Sequence, residues 1–218
     1  MLTNLFSSFD PSTNLYSQMN WMSLITPTMI LSSSFWMKKS RILMIKKMIS
    51  TKMNKEFSSI LKNKQIKLIL KSMFMFILMS NLMGLTPYTF TSTSHLVISM
   101  SLALPTWIML MSYGWTNSTN KMFSHMIPNG TPKPLMPFMI LIETISNLIR
   151  PISLCVRLSA NMIAGHLLMT LMGNINNMST IILILTAQMM LMMFETAISM
   201  IQAYVFTILS TLYSSEIP

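Results

Sequence analysis

Apolar residues along this chain come in long runs separated by short polar stretches, not in the regular alternation of an amphipathic sheet. The first run covers 19–37 with Pro27 inside it; the second covers 68–85 and ends just before Pro87. A third occupies 96–113 around Pro105, and residues 114–134, rich in Gly, Asn and Pro, predict a loop with one short helix. A fourth run, 135–172, is interrupted at Arg150-Pro151, and after a turn at 173–179 a fifth extends over 180–213. A helix of 19 residues rises ~28 Å, enough to cross a hydrocarbon core of ~30 Å. In lipid each backbone N–H and C=O must be satisfied internally or by a neighbour, which leaves helices and closed barrels as spanning structures. The few glycines and the missing alternation favour helices. The pattern therefore predicts an all-α polytopic membrane protein with about five to six membrane helices. The last run, ~51 Å if wholly helical, is too long for a simple crossing and predicts a steep tilt or a bend.

Composition agrees with this solvent. Hydrophobic residues make up 52% of the 218 and charged residues only 9%, where a soluble domain carries about 25%. The 28 methionines substitute for Leu and Ile as flexible apolar filler. The net charge of +10 is local: eleven of the fifteen Lys and Arg lie within 38–71 with a single acid, Glu56. Few aromatics interleave with these cations and apolar runs flank them, so nucleic acid is not an expected partner. Short loops rich in Lys and Arg are retained on the side of synthesis and meet anionic headgroups there. Within the segment, 41–49 and 60–70 mix apolar residues and Lys at helical intervals, as helices lying at the headgroups do. Three regions follow: an N-terminal segment with the first span (1–37), a basic amphipathic segment (38–67) and a helical membrane domain (68–218). Cys155 is the only cysteine, so neither an internal disulfide nor a cysteine metal site is expected, and no cofactor is expected. Residues 1–10 contain no base, and no cleavable targeting peptide is expected.

Charged side chains at membrane depth cost ~2.5–3.5 kcal/mol on insertion scales and mark function by default. Glu143, Arg150, Arg157 and Glu195 are such residues, and His166 adds a titratable imidazole. Arg150, beside a proline, reads as a structural cation snorkelling toward an interface. Arg157 stays protonated at any physiological pH and cannot relay protons. It can instead attract a deprotonated carboxylate and block leakage along a proton path, or it can pair with Glu143 or Glu195 to hold the bundle. At 100° per residue, Arg157, Asn161 and Ala164 share one helix face, while His166 points about 180° away from Arg157. Ala160 and Ala164 keep that helix surface small, and Glu195, Ser199, Gln202 and Phe206 form a stripe on the last helix. Two polar stripes with small neighbours predict packing against a moving partner. His166 and Glu195 can both change protonation, as a relay requires. His95 and His125 read as ordinary loop histidines.

The run Arg157-Leu158-Ser159-Ala160-Asn161-Met162-Ile163-Ala164-Gly165-His166, preceded by Glu143-Thr144-Ile145-Ser146, resembles subunit a of the mitochondrial F-type ATP synthases. Asn81-Leu82-Met83-Gly84-Leu85-Thr86-Pro87-Tyr88, Gly130-Thr131-Pro132 and Ile201-Gln202-Ala203-Tyr204-Val205-Phe206 are similar to further motifs of that family, in order along the chain. The resemblance implies a multi-pass protein of the mitochondrial inner membrane, with 38–67 on the matrix side and 68–218 translocating protons. It implies last helices strongly tilted along a ring of c-subunits, a b-type stator and a subunit-8-type neighbour among the membrane partners, and no ATP chemistry on this chain. It also implies roles. Arg157 would face the ring carboxylate with Asn161 and Gln202 near it, His166 and Glu195 would line one proton half-channel, and Glu143 would belong to the other. The competing class, a proton-coupled secondary transporter or antiporter, also buries Arg, Glu and His, but it usually shows internal repeats, and none is found here.

Overall fold

A computed structural model describes residues 5–13, 17–31, 40–61, 63–86, 89–127, 132–174 and 181–216. Among the described residues the chain is almost wholly helical and contains no β-strand. The α-helices are α1 (Ile25–Ile30), α2 (Arg41–Ile60), α3 (Lys64–Gly84), α4 (Leu96–Asn117), α5 (Thr119–His125), α6 (Met136–Gly173) and α7 (Ile181–Glu216). Four of them, α3, α4, α6 and α7, are long and apolar enough to cross a membrane.

The first apolar run departs from expectation. Its described part forms a 3-10 turn, Met19–Leu24, followed by the six residues of α1. Six residues rise about 9 Å, too little to span; the rest of that run, 32–37, lies outside the described residues. The five to six membrane helices expected therefore reduce to four among the described residues.

The basic segment forms one long helix in place of two short ones. The Ser40 backbone is extended and its hydroxyl accepts the Leu43 N–H at 3.4 Å, capping the first turn of α2. Leu61 returns to extended geometry and ends the helix, so the predicted 60–70 stretch is divided and Lys64, Lys67 and Lys71 ride on the first turns of α3. Met53 and Phe57, one turn apart, are buried with Leu61 in the core, while Ile42, Ile45 and Met48 stay exposed among the lysines.

Arg150-Pro151 does not divide α6. One helix of 38 residues runs through it. Pro151 is buried and lacks an N–H, which leaves the Asn147 carbonyl without its intrahelical donor. Tertiary packing keeps the helix continuous through a residue that would end it in isolation: α6 packs on α4 and α7, and α3 on α7. Leu70, Phe74 and Ile77 of α3, Ala103 of α4, Leu154, Cys155 and Leu158 of α6, and Ala203 and Phe206 of α7 form the common core. At 38 and 36 residues, α6 and α7 would extend about 57 and 54 Å, nearly twice the hydrocarbon thickness.

Candidate proton-transfer sites

Two cavities lie at opposite ends of the bundle. The first, about 540 Å³, is bounded by Leu85, Thr86 and 89–91 after α3, by His166, Met169 and Thr170 of α6, by Met192 and Glu195 of α7, and by the N-terminal segment. The second, about 250 Å³, is bounded by the far half of α4, by Glu143, Asn147 and Arg150 near the start of α6, and by Tyr213 near the end of α7. Glu143 and His166 are thus about 35 Å apart along one helix.

In the first cavity Glu195 is only 7% exposed, and its Oε1 has no hydrogen-bond partner among the described residues. The carboxyl rests on Gly165, where a Cβ would stand 2.8 Å from Cδ and 2.9 Å from Oε1. A glycine is what allows α7 to bring this acid against α6. His166 Nε2 is likewise buried and unpartnered. Its ring lies beside the Gly84 backbone and edge-on to Phe9, with centroids 6.4 Å apart. A buried polar atom without a partner costs ~1–3 kcal/mol unless the site is wet, and a polar cavity of this size has room for bridging water. Glu195 also lines an adjoining cavity of about 360 Å³ with Asn161, Ala164, Gly165, Ser199 and Gln202. Asn161 Nδ2 donates to Gln202 Oε1 at 3.0 Å, joining α6 to α7 beside that cavity.

In the second cavity Arg150 Nη2 lies 3.9 Å from Glu143 Oε1, and its Cζ lies over the Tyr213 ring, 4.9 Å from the centroid. Arg150 is therefore more than a snorkelling surface cation. It places a permanent charge beside the one acid of this cavity.

Arg157 sits on α6 between the two cavities. Its side chain is exposed, as are Ala160, Asn161 and Ala164 on the same face. Among the described residues it forms no ion pair with Glu143, which is paired with Arg150, or with Glu195. That removes the bundle-holding alternative within this chain. The α7 stripe behaves differently from expectation: Glu195, Ser199, Gln202 and Phe206 are all buried, turned toward α3 and α6 and away from any outer partner. The exposed side of the first half of α7 is apolar, with Ile182 82%, Met190 76% and Phe194 66% exposed.

The sequence reading missed three polar positions. Asn81 is fully buried with both amide atoms unpartnered, and Thr93 is buried with its hydroxyl unpartnered. Asp10 lines the first cavity. Asn81 carried a signal, since a carboxamide inside an apolar run is unusual; an acid in a polar N-terminal segment carries none. His95, read as an ordinary loop histidine, anchors that segment: its Nε2 lies 3.0 Å from the Phe9 carbonyl. The side chain of His125 and residues 128–131, with Gly130 and Thr131 of the Gly-Thr-Pro motif, lie outside what is described.

Four helices long and apolar enough to span, two separate cavities each holding a titratable residue, and a permanent cation exposed between them define a helical ion-translocating membrane protein. The family model for the ATP synthase A chain matches residues 15–215. The chain is 51% identical over 224 residues to ATP synthase subunit a of Locusta migratoria, covering 100% of both chains. It is 50% identical to the same subunit of Drosophila melanogaster and 49% identical to that of Anopheles quadrimaculatus, again over 100% of both chains. The chain belongs to the ATP synthase subunit a family, the proton-channel subunits of the Fo sector, and is a multi-pass protein of the mitochondrial inner membrane with partners in the Fo complex. Nothing in these relationships supports a transporter or antiporter.

Proposed function

We propose that the two cavities are the two half-channels of the Fo sector, and that protons pass between them only on a rotating ring of c-subunits docked across Arg157. The cavity of His166 and Glu195 takes protons up from the intermembrane space; the cavity of Glu143 and Arg150 releases them to the matrix. The observation that carries this reading is the exposed Arg157, unpaired among the described residues and placed between cavities that do not merge.

In the mechanism, a proton crosses His166 and Glu195 and neutralises a ring carboxylate near the exposed Asn161, whose amide Gln202 holds from behind. A neutral site rotates into lipid without the penalty a charged one meets there. After nearly a full turn it reaches the Glu143 side, where Arg150 stands beside that acid, and its proton leaves toward the matrix. The emptied carboxylate is drawn past Arg157, whose fixed charge stops protons from running directly between the half-channels. Each charge crossing ~100 mV supplies about 2.3 kcal/mol to this rotation. The Fo partners in this reading are the c-ring on the Arg157 face, a b-type stator and a subunit-8-type protein, with lipid around the rest. The long α6 and α7 tilt along the ring, which fits both their length and the apolar exposure of α7.

The test is substitution of Arg157 in the assembled enzyme. Lys keeps a charge but loses the planar guanidinium and gains the ability to deprotonate, so Arg157→Lys should abolish coupled synthesis. Arg157→Ala should abolish it and also open a passive proton leak, with normal amounts of complex. An assembled Arg157→Ala enzyme that still couples proton flux to synthesis would falsify this assignment.

A further inference from the structure

We propose that Asp10 is the proton-collecting carboxylate at the mouth of the His166–Glu195 cavity, gathering protons from the intermembrane space for uptake. This rests on reading that cavity as the uptake half-channel.

Asp10 lines the cavity together with His166 and Glu195, and it is solvent-exposed where they are not. It is held in place at several points. The Ser12 N–H donates to Asp10 Oδ1 at 3.1 Å, and the Asp10 N–H donates to the Ser7 carbonyl at 3.3 Å. The neighbouring Phe9 is fixed by His95 at its carbonyl and by the His166 ring at its side chain. The surrounding charge is sparse: among the described residues of 5–13, 17–24, 85–86 and 89–96, Asp10 is the only Asp, Glu, Lys or Arg. The titratable groups facing it across the cavity are His166 on α6 and Glu195 on α7, and His95 at the start of α4 stands behind Phe9. Among the described residues no Lys or Arg lines this cavity. The backbone N–H and hydroxyl of Ser12 hold the Asp10 carboxyl below the ordinary aspartate range, so it stays ionised across physiological pH. An anion fixed at a channel mouth raises the local concentration of cations and their capture rate. At about 8 Å in water a unit charge raises proton activity on the order of twofold.

Asp10→Asn separates charge from structure, because the amide oxygen can still accept the Ser12 N–H. In assembled ATP synthase reconstituted into vesicles at low salt, the rate of synthesis is measured against pH on the intermembrane side. Asp10→Asn should move the half-maximal point to about twofold higher proton concentration. Asp10→Glu should restore it, and high salt should erase the difference. Curves for wild type and Asp10→Asn that superimpose at low salt would overturn the proposal. So would a uniform loss at every pH that salt leaves untouched, since that is a folding defect. Glu195→Gln is run alongside. If Glu195→Gln is slow while the Asp10→Asn curve is unmoved, only the Asp10 role fails. If Glu195→Gln synthesises at the normal rate, the half-channel itself is misassigned.

Discussion

Gly165 and Glu195 illustrate how far single residues could be read in advance. An acid in a run such as 180–213 stands out by its cost in lipid, so Glu195 was visible without a structure. Gly165 was not, because its importance lies in a contact 30 positions away: the Glu195 carboxyl occupies the place a Cβ would take. Gly165→Ala should therefore displace Glu195 and slow proton uptake, while leaving the Glu143 cavity unaltered. Proton-driven synthesis with blue-native quantification of the complex checks this, and a normal rate would show that Glu195 has room to move. Glu195→Gln keeps the shape and removes titration; His166 and cavity water can carry part of the relay, so flux should fall substantially with assembly intact. Full-rate synthesis with Glu195→Leu, which removes polarity altogether, would count against the cavity as a proton path. Asn161, paired with Gln202, tells a milder story. Interhelical hydrogen bonds in membranes average ~0.6 kcal/mol, so its loss to Ala should affect rate more than assembly.

Among the elements, length and period were legible and endings were not. The last three spans appear where the hydrophobic runs place them because about 20 apolar residues in lipid have few alternatives to a helix. Arg150-Pro151 was read as an interruption because a proline ends a helix in water; in a bundle, neighbouring helices hold the flanking turns and α6 continues. The inward turn of the α7 stripe could not be read either, since periodicity gives a face but not its partner. Here α3 and α6 supply that partner through a shared core that includes Phe74, Ile77 and Phe206. For α2, charge carries the topology. With five Lys and Arg along it and Met53 and Phe57 anchored in the core, α2 should lie on the matrix surface and residues 5–13 on the other. In mitoplasts, protease added from outside should spare the Lys52 region; cleavage there would invert the whole arrangement.

At the scale of the molecule, the consequential feature is that the two cavities do not meet. Arg150, which borders the Glu143 cavity, and Asn161, at the near end of the cavity adjoining Glu195, are separated by 11 residues of α6, about 17 Å of helix. That interval contains Leu154, Cys155 and Leu158, all buried in the apolar core, with Arg157 on its outer face. A proton crossing this stretch unaided would have to pass as a charge through packed hydrocarbon, at a cost of several kcal/mol. The buried hydroxyls there, Ser159 on α6 and Thr207 on α7, are turned back onto carbonyls of their own helices and offer a water file little, and the Arg157 cation repels any proton that enters along the open face. On this physical reading the stator alone is an insulator, and conduction needs a mobile carboxylate to carry the proton around. Inner membranes that contain this chain with its stator partners but no c-ring should therefore hold a pH gradient as well as membranes lacking the chain. Adding the ring should make them conduct, and an inhibitor that modifies the ring carboxylate should close them again. The measurement is gradient decay by a pH-sensitive dye in vesicles matched for the amount of this chain. Rapid decay without the ring, unaffected by that inhibitor, would mean that the cavities join through the protein, and the division into two half-channels would have to be abandoned.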